Sequence, residues 1–150
     1  MSDRATKHNL NDLIEIARDG KEFYSEAAGT VKNAELSALF LRIASGKSDI
    51  VNALSAQVAA SGGRPAEHGT FVGSMQQLYG KIRAAFGDTE YGYVAELEES
   101  EDRLLKAFND AIGDAELPPG ARSAVERLLP AVRDTHREMS QLKKSMKRST

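Results

Sequence analysis

The stretch VRDTHREMSQL, residues 132–142, holds one of only three histidines in this chain. Arg133 stands three positions ahead of His136, so on a helix the two lie near one face. A glutamate at 133 would complete the Glu-x-x-His pair that ligates metal inside some four-helix bundles. As it stands, a guanidinium sits beside the imidazole. Two more residues of opposite charge raise the same question. Lys47 and Glu101 each fall near the middle of an otherwise apolar helical stripe. A charge there must either lean out to water along its stem or find a partner at depth.

The elements that would position these groups are read from proline, glycine and apolar spacing. Pro65, Pro118, Pro119 and Pro130 are the only prolines. Gly62-Gly63 with Pro65, and GDAELPPGA at 113–121, mark breaks. Between them the apolar residues recur every three or four positions, and no alternating run supports a strand. The first helix is expected from about Asn9 to Gly29, with Leu10, Leu13, Ala17, Gly20, Tyr24 and Ala27 inward and Asn9 or Asn11 as cap. The second spans about Asn33 to Ser61, with Leu36, Phe40, Ile43, Lys47, Ile50 and Leu54 on its seam. The third runs from about Asp88 to Ile112 through Val94, Leu97, Glu101, Leu104 and Phe108. The fourth starts at Pro118 or Pro119 and reaches about Lys147, with a bend expected at Pro130.

This pattern predicts an all-α, single-domain four-helix bundle over residues 1–150, its core about 9–147. Short links pair helices one with two and three with four as antiparallel hairpins. The link from Gly62 to Gly87 is long and amphipathic, with Phe71, Val72, Met75, Leu78, Tyr79, Ile82, Ala85 and Phe86 at helical spacing. It reads as a short fifth helix on a long crossover, which is ferritin-like connectivity. The fifth helix would either cover the bundle or contribute to a dimer interface.

Helices of similar length bring their midpoints to one level. Ala17, Lys47, Glu101 and the Arg133–His136 pair are therefore expected to converge on a buried charged layer. Lys47 and Glu101 could pair there. Glu101 and His136 could instead form a partial metal site, helped by Glu98, Asp102 or Asp19. Tyr24 stands on the same seam and reads as a core aromatic whose hydroxyl finds a partner.

Composition narrows the choices. The chain has 150 residues, no cysteine and a formal net charge of −2. Thiolate chemistry and disulfides are excluded. No stretch approaches the roughly 20 apolar residues of a membrane span, and no signal-peptide pattern opens the chain, so a cytoplasmic protein is expected. The slightly acidic total argues against nucleic acid as the main partner. KKSMKRS, 143–149, reads as cations favouring a helix C-terminus, and the acidic run ELEESED, 96–102, as a solvated face. GGRPAEHG lacks the lysine and hydroxyl residue of a phosphate loop. HREM lacks the lysine and glycine expected behind a phosphotransfer histidine.

LNDLIEIARDGKEFYSEAA followed by AELSALFLRIA resembles the start of ferritin-like proteins of the rubrerythrin and bacterioferritin type. LNDLIEIARDG, LFLRIA, EESEDRLLKAF, LPPGAR and RDTHREM together resemble, from about Leu10 to Lys144, an uncharacterised bacterial ferritin-like family, a domain of unknown function. The resemblance implies a ferritin-like bundle, an association with bacterial stress physiology and a homodimer. Ferritin-like iron enzymes draw a glutamate from each of two helices and Glu-x-x-His from the other two. Carried onto this chain, those positions fall at Ala17, at Lys47 and Ile50, at Glu101, and at Arg133 and His136. Only Glu101 and His136 keep a ligand type, and two positions carry cations. The expectation is a non-enzymatic stress-associated or interaction protein, with no cofactor and an unidentified protein partner, in which a charged layer of Lys47, Glu101, Arg133 and His136 replaces the metal. The alternative is a metal-binding protein or oxidoreductase using a degenerate iron or manganese site around Glu101 and His136.

Overall fold

The computed structural model describes residues 2–70 and 90–149. Among the described residues are four helices and no strand: α1 (Ser2–Thr30), α2 (Ala34–Ala60), α3 (Glu90–Ile112) and α4 (Pro119–Ser149). The expected fifth helix through Phe71, Val72, Met75, Leu78, Tyr79, Ile82, Ala85 and Phe86 lies outside the described residues.

Local chemistry sets the helix ends. Asn33 takes an extended backbone, and its side-chain oxygen accepts the Leu36 N–H at 2.9 Å, capping α2. At the other end Gly62 has φ +81°. Its N–H donates to Ala59 O, and the Gly63 N–H donates to Val58 O, both at 3.0 Å. That paired closure needs a left-handed residue, which glycine adopts without a Cβ clash. Pro119 opens α4, where a missing N–H costs nothing. The helix then runs unbroken past Pro130, which is exposed.

α1 starts at Ser2, seven residues before the expected cap at Asn9. No proline or glycine precedes Gly20, so nothing in the sequence stops the helix from propagating backward. Asn11 serves another purpose. Its amide donates to Arg64 O at 3.0 Å and its side-chain oxygen accepts the Ala66 N–H at 2.7 Å. The chain leaving α2 is thereby tied to the first half of α1.

The adjacent pairs are α1–α2, α3–α4, α1–α3 and α2–α4, and cross-links show each to be antiparallel. Asn11 of α1 meets Arg64, just beyond α2. The Asn33 N–H, past the end of α1, donates to Glu90 at the start of α3 at 3.0 Å. Arg42 of α2 donates to Glu138 of α4 at 2.6 Å, and Gln57 donates to Gly120 O at 2.8 Å. Arg122, early in α4, donates to Ile112 O at the end of α3.

The interior divides into two apolar halves. One contains Leu10, Leu13, Leu54, Val58, Phe108 and Val125. The other contains Phe23, Phe40, Ile43, Tyr93, Leu97 and Met139. Each fully buried side chain of this size stabilises the fold by about 1.5–3 kcal/mol relative to exposure. Between the halves lies one level where the apolar seams stop, at Gly20 of α1, Lys47 of α2, and Ser100 and Glu101 of α3. No described helix is long and apolar enough to cross a membrane.

Candidate functional site

Lys47 follows Phe40 and Ile43 and precedes Ile50 and Leu54 on the inward stripe of α2. Helical spacing therefore aims its stem into the bundle. Glu101 lies on the corresponding stripe of α3, between Leu97 and Leu104. Lys47 is 2% exposed and Glu101 0%. Lys47 Nζ donates to Glu101 Oε1 at 2.7 Å. Tyr24 of α1, also fully buried, donates its hydroxyl to Glu101 Oε2 at 2.7 Å. Both oxygens of the carboxylate are thus held, one by an ammonium and one by a phenol. The ammonium also lies 6.0 Å from the centre of the Tyr24 ring, the outer limit of a cation–π contact.

α1 packs Gly20 against the lysine stem. A Cβ at Gly20 would lie 3.6 Å from Lys47 Cε and 3.6 Å from Ser100 Oγ, ordinary van der Waals distances. Taking two charges out of water costs several kcal/mol per ion, and close pairing with added hydrogen bonds offsets much of it.

Burial pushes the Tyr24 phenol well above its ordinary range. The negative charge of Glu101 and the hydrogen bond to it push the same way, followed by the charges of Glu138 and Glu98. The phenol pKa is higher in the folded chain than in the unfolded one. Its contribution to stability is therefore complete below about pH 10 and is lost as pH rises from there toward the folded value, by about 1.4 kcal/mol per pH unit. Denaturant melts between pH 9 and 12 should show that slope, and Tyr24→Phe should flatten it.

Arg133 and His136 lie outside the buried centre of the expected layer. Arg133 is exposed, which corrects its placement inside the bundle. The buried stripe of α4 passes through Val125, Leu129, Val132 and Met139. Position 133 follows Val132 by one residue, a rotation of about 100° toward solvent. His136 is at the level of the layer but at its edge, its side chain 28% exposed. Its Nε2–H donates to Asp102 of α3, and Glu98 Oε2 lies 3.9 Å from the same nitrogen. Lys143 Nζ donates to the other oxygen, Glu98 Oε1, at 3.3 Å. The structure therefore does not join Glu101 and His136 as a ligand pair. Asp19, the other residue considered beside His136, is on α1 and accepts the Thr70 hydroxyl.

Sequence reasoning placed Tyr24 on the seam but did not identify Glu101 as its partner. The signal was present: stepping 17, 20, 24 along α1 brings a ring one turn past the small residue facing Lys47. Glu98 and Asp102, four apart on α3, are the side chains that meet His136.

No curated protein matches this chain in sequence. The match to a family covers α1, α2 and α3, and so includes Tyr24, Lys47, Glu98, Glu101 and Asp102, while His136 lies beyond it. The family is the domain of unknown function DUF2383, whose model matches residues 5–114, and the chain belongs to that family.

Proposed function

We propose that this protein is a non-enzymatic ferritin-like bundle, a dimeric interaction module of the bacterial cytoplasm associated with stress. In it, a Lys47–Glu101–Tyr24 triad takes the place that a di-iron centre holds in ferritin-like enzymes. The helix directions support the connectivity. α1 is antiparallel to both α2 and α3, so α2 and α3 run parallel, which supports a crossover connection of the ferritin-like kind. The stress association, the location and the dimer rest on the sequence resemblance.

The observation that carries the reading is the state of Glu101. Each of its oxygens is engaged, and the group 2.7 Å from Oε1 is a cation. A di-iron site needs several carboxylates to balance its charge and fill its coordination. Glu101, on the inward stripe of α3 at this level, is already paired with an ammonium. An oxidoreductase built around Glu101 and His136 would require Lys47 to withdraw and His136 to leave Asp102.

The test is an anaerobic Fe(II) titration of protein purified without chelator, followed by exposure to oxygen. The expected result is no oxygen-dependent absorbance change above a protein-free control. Stoichiometric Fe(II) uptake with rapid oxidation would overturn the reading.

A further inference from the structure

We propose that Glu98, Asp102 and His136 form a binding site for a single divalent transition metal ion, of the zinc type, on the seam between α3 and α4. This site is separate from the buried triad. The two carboxylates stand four residues apart on α3, one helical turn, and face the imidazole from α4. One ligand atom from each of the three residues can be chosen so that all lie within 4.8 Å of one another. Tetrahedral metal–ligand bonds of about 2.0–2.2 Å place ligand atoms about 3.3–3.6 Å apart. Side-chain movements of about 1 Å bring the three ligands to that separation. Asp102, with a side chain 52% exposed, has the freedom to make such a movement. Among the described residues, this is the one group of three such ligands that converges.

The donor set selects the ion. An imidazole with two carboxylates suits zinc and its first-row neighbours, whereas calcium and magnesium prefer an all-oxygen shell. Three protein ligands leave at least one coordination position for water. His136 now donates from Nε2, so metal binding requires its neutral tautomer with the proton on Nδ1. The ion then replaces the Nε2 proton as the positive partner of Asp102. Glu98 divides its work: Oε1 stays with Lys143 while Oε2 turns to the metal. The ammonium of Lys143 opposes a second cation, which keeps the affinity moderate. Because the ligands come from two helices, the ion would clip α4 to α3 at mid-bundle. Acid should weaken binding, since an imidazolium cannot ligate.

The test is calorimetric titration of the chelator-stripped full chain with Zn(II), together with the Zn(II)-dependent rise in Tm. One ion per chain is expected. His136→Ala should weaken binding at least tenfold and abolish the Tm rise, and Asp102→Asn should weaken it severalfold. Lys143→Gln should tighten it severalfold, a gain that a misfolded variant would not show. His68→Ala, at an exposed histidine far along the chain, should change nothing. Absence of Zn(II) binding to the wild type, or equal binding by His136→Ala, would overturn the proposal. Because these ligands also suit Fe(II), the Fe(II) titration is repeated on His136→Ala: oxidation that persists there overturns the buried-triad reading, whereas Zn(II) binding by the wild type and its loss in His136→Ala judge this site alone.

Discussion

Lys47→Ala should lower the unfolding free energy by about 3–5 kcal/mol at neutral pH, because it strands Glu101 as an uncompensated buried charge. Glu101 is 0% exposed and lies between the two apolar halves of the core. Removing the whole polar set should be far milder. Lys47→Met and Glu101→Leu together delete both charges and keep much of the volume. Adding Tyr24→Phe avoids leaving a buried hydroxyl without its acceptor. That triple variant should lie within about 2 kcal/mol of the wild type, or be more stable, as replacements of buried ion pairs by apolar groups often are. Chemical denaturation followed by far-ultraviolet circular dichroism measures both. A loss below about 1 kcal/mol in Lys47→Ala would mean that the ammonium is hydrated and the pair is not buried. The contrast between single and triple variants separates two roles for the triad. A layer that adds little net stability can still set the level at which the helices mesh.

Phe40→Ala should cost about 3–5 kcal/mol, the usual range for emptying a buried phenylalanine site. The ring is 0% exposed and meets Tyr24 edge-on, with centres 5.8 Å apart at 65°. Its removal opens a cavity beside the phenol that donates to Glu101. A polar atom on the wall of that cavity gives entering water a partner. Hydration would relieve the desolvation that dominates the Tyr24 shift. The variant should therefore begin its alkaline transition closer to pH 10 than the wild type does. Tyrosine absorbance followed through a pH titration reads this directly. A large stability loss with an unchanged phenol titration would show that the cavity stays dry.

The two predictions use different parts of the molecule that were unequally legible. Phe40 lay on a periodic apolar stripe, and burial follows from that stripe once a bundle forms. Lys47 and Glu101 were legible for the opposite reason, as interruptions of such stripes at matching depth. Tyr24 was visible as a seam residue, but a hydroxyl can turn toward several partners, and only the packed neighbour shows which one it takes. Arg133 was misplaced in the buried layer because a stripe has edges. One residue moves a side chain by about 100° around the helix, so a three-residue spacing says that two groups share a side, not that the side faces the axis.

By itself, the sequence determined what local rules control: four helices, their breaks at Gly62-Gly63 and Pro118-Pro119, and the two charges inside apolar seams. These depend on backbone propensity and on the period of burial, which are properties of neighbours in the chain. The tertiary structure decided which distant groups meet. It gave Glu101 to Lys47 and Tyr24, and it set His136 against Glu98 and Asp102 at the bundle edge. Those choices depend on the rotation and level of each helix against the next. A shift of one residue or a fraction of a turn changes them while leaving the apolar pattern of each helix intact.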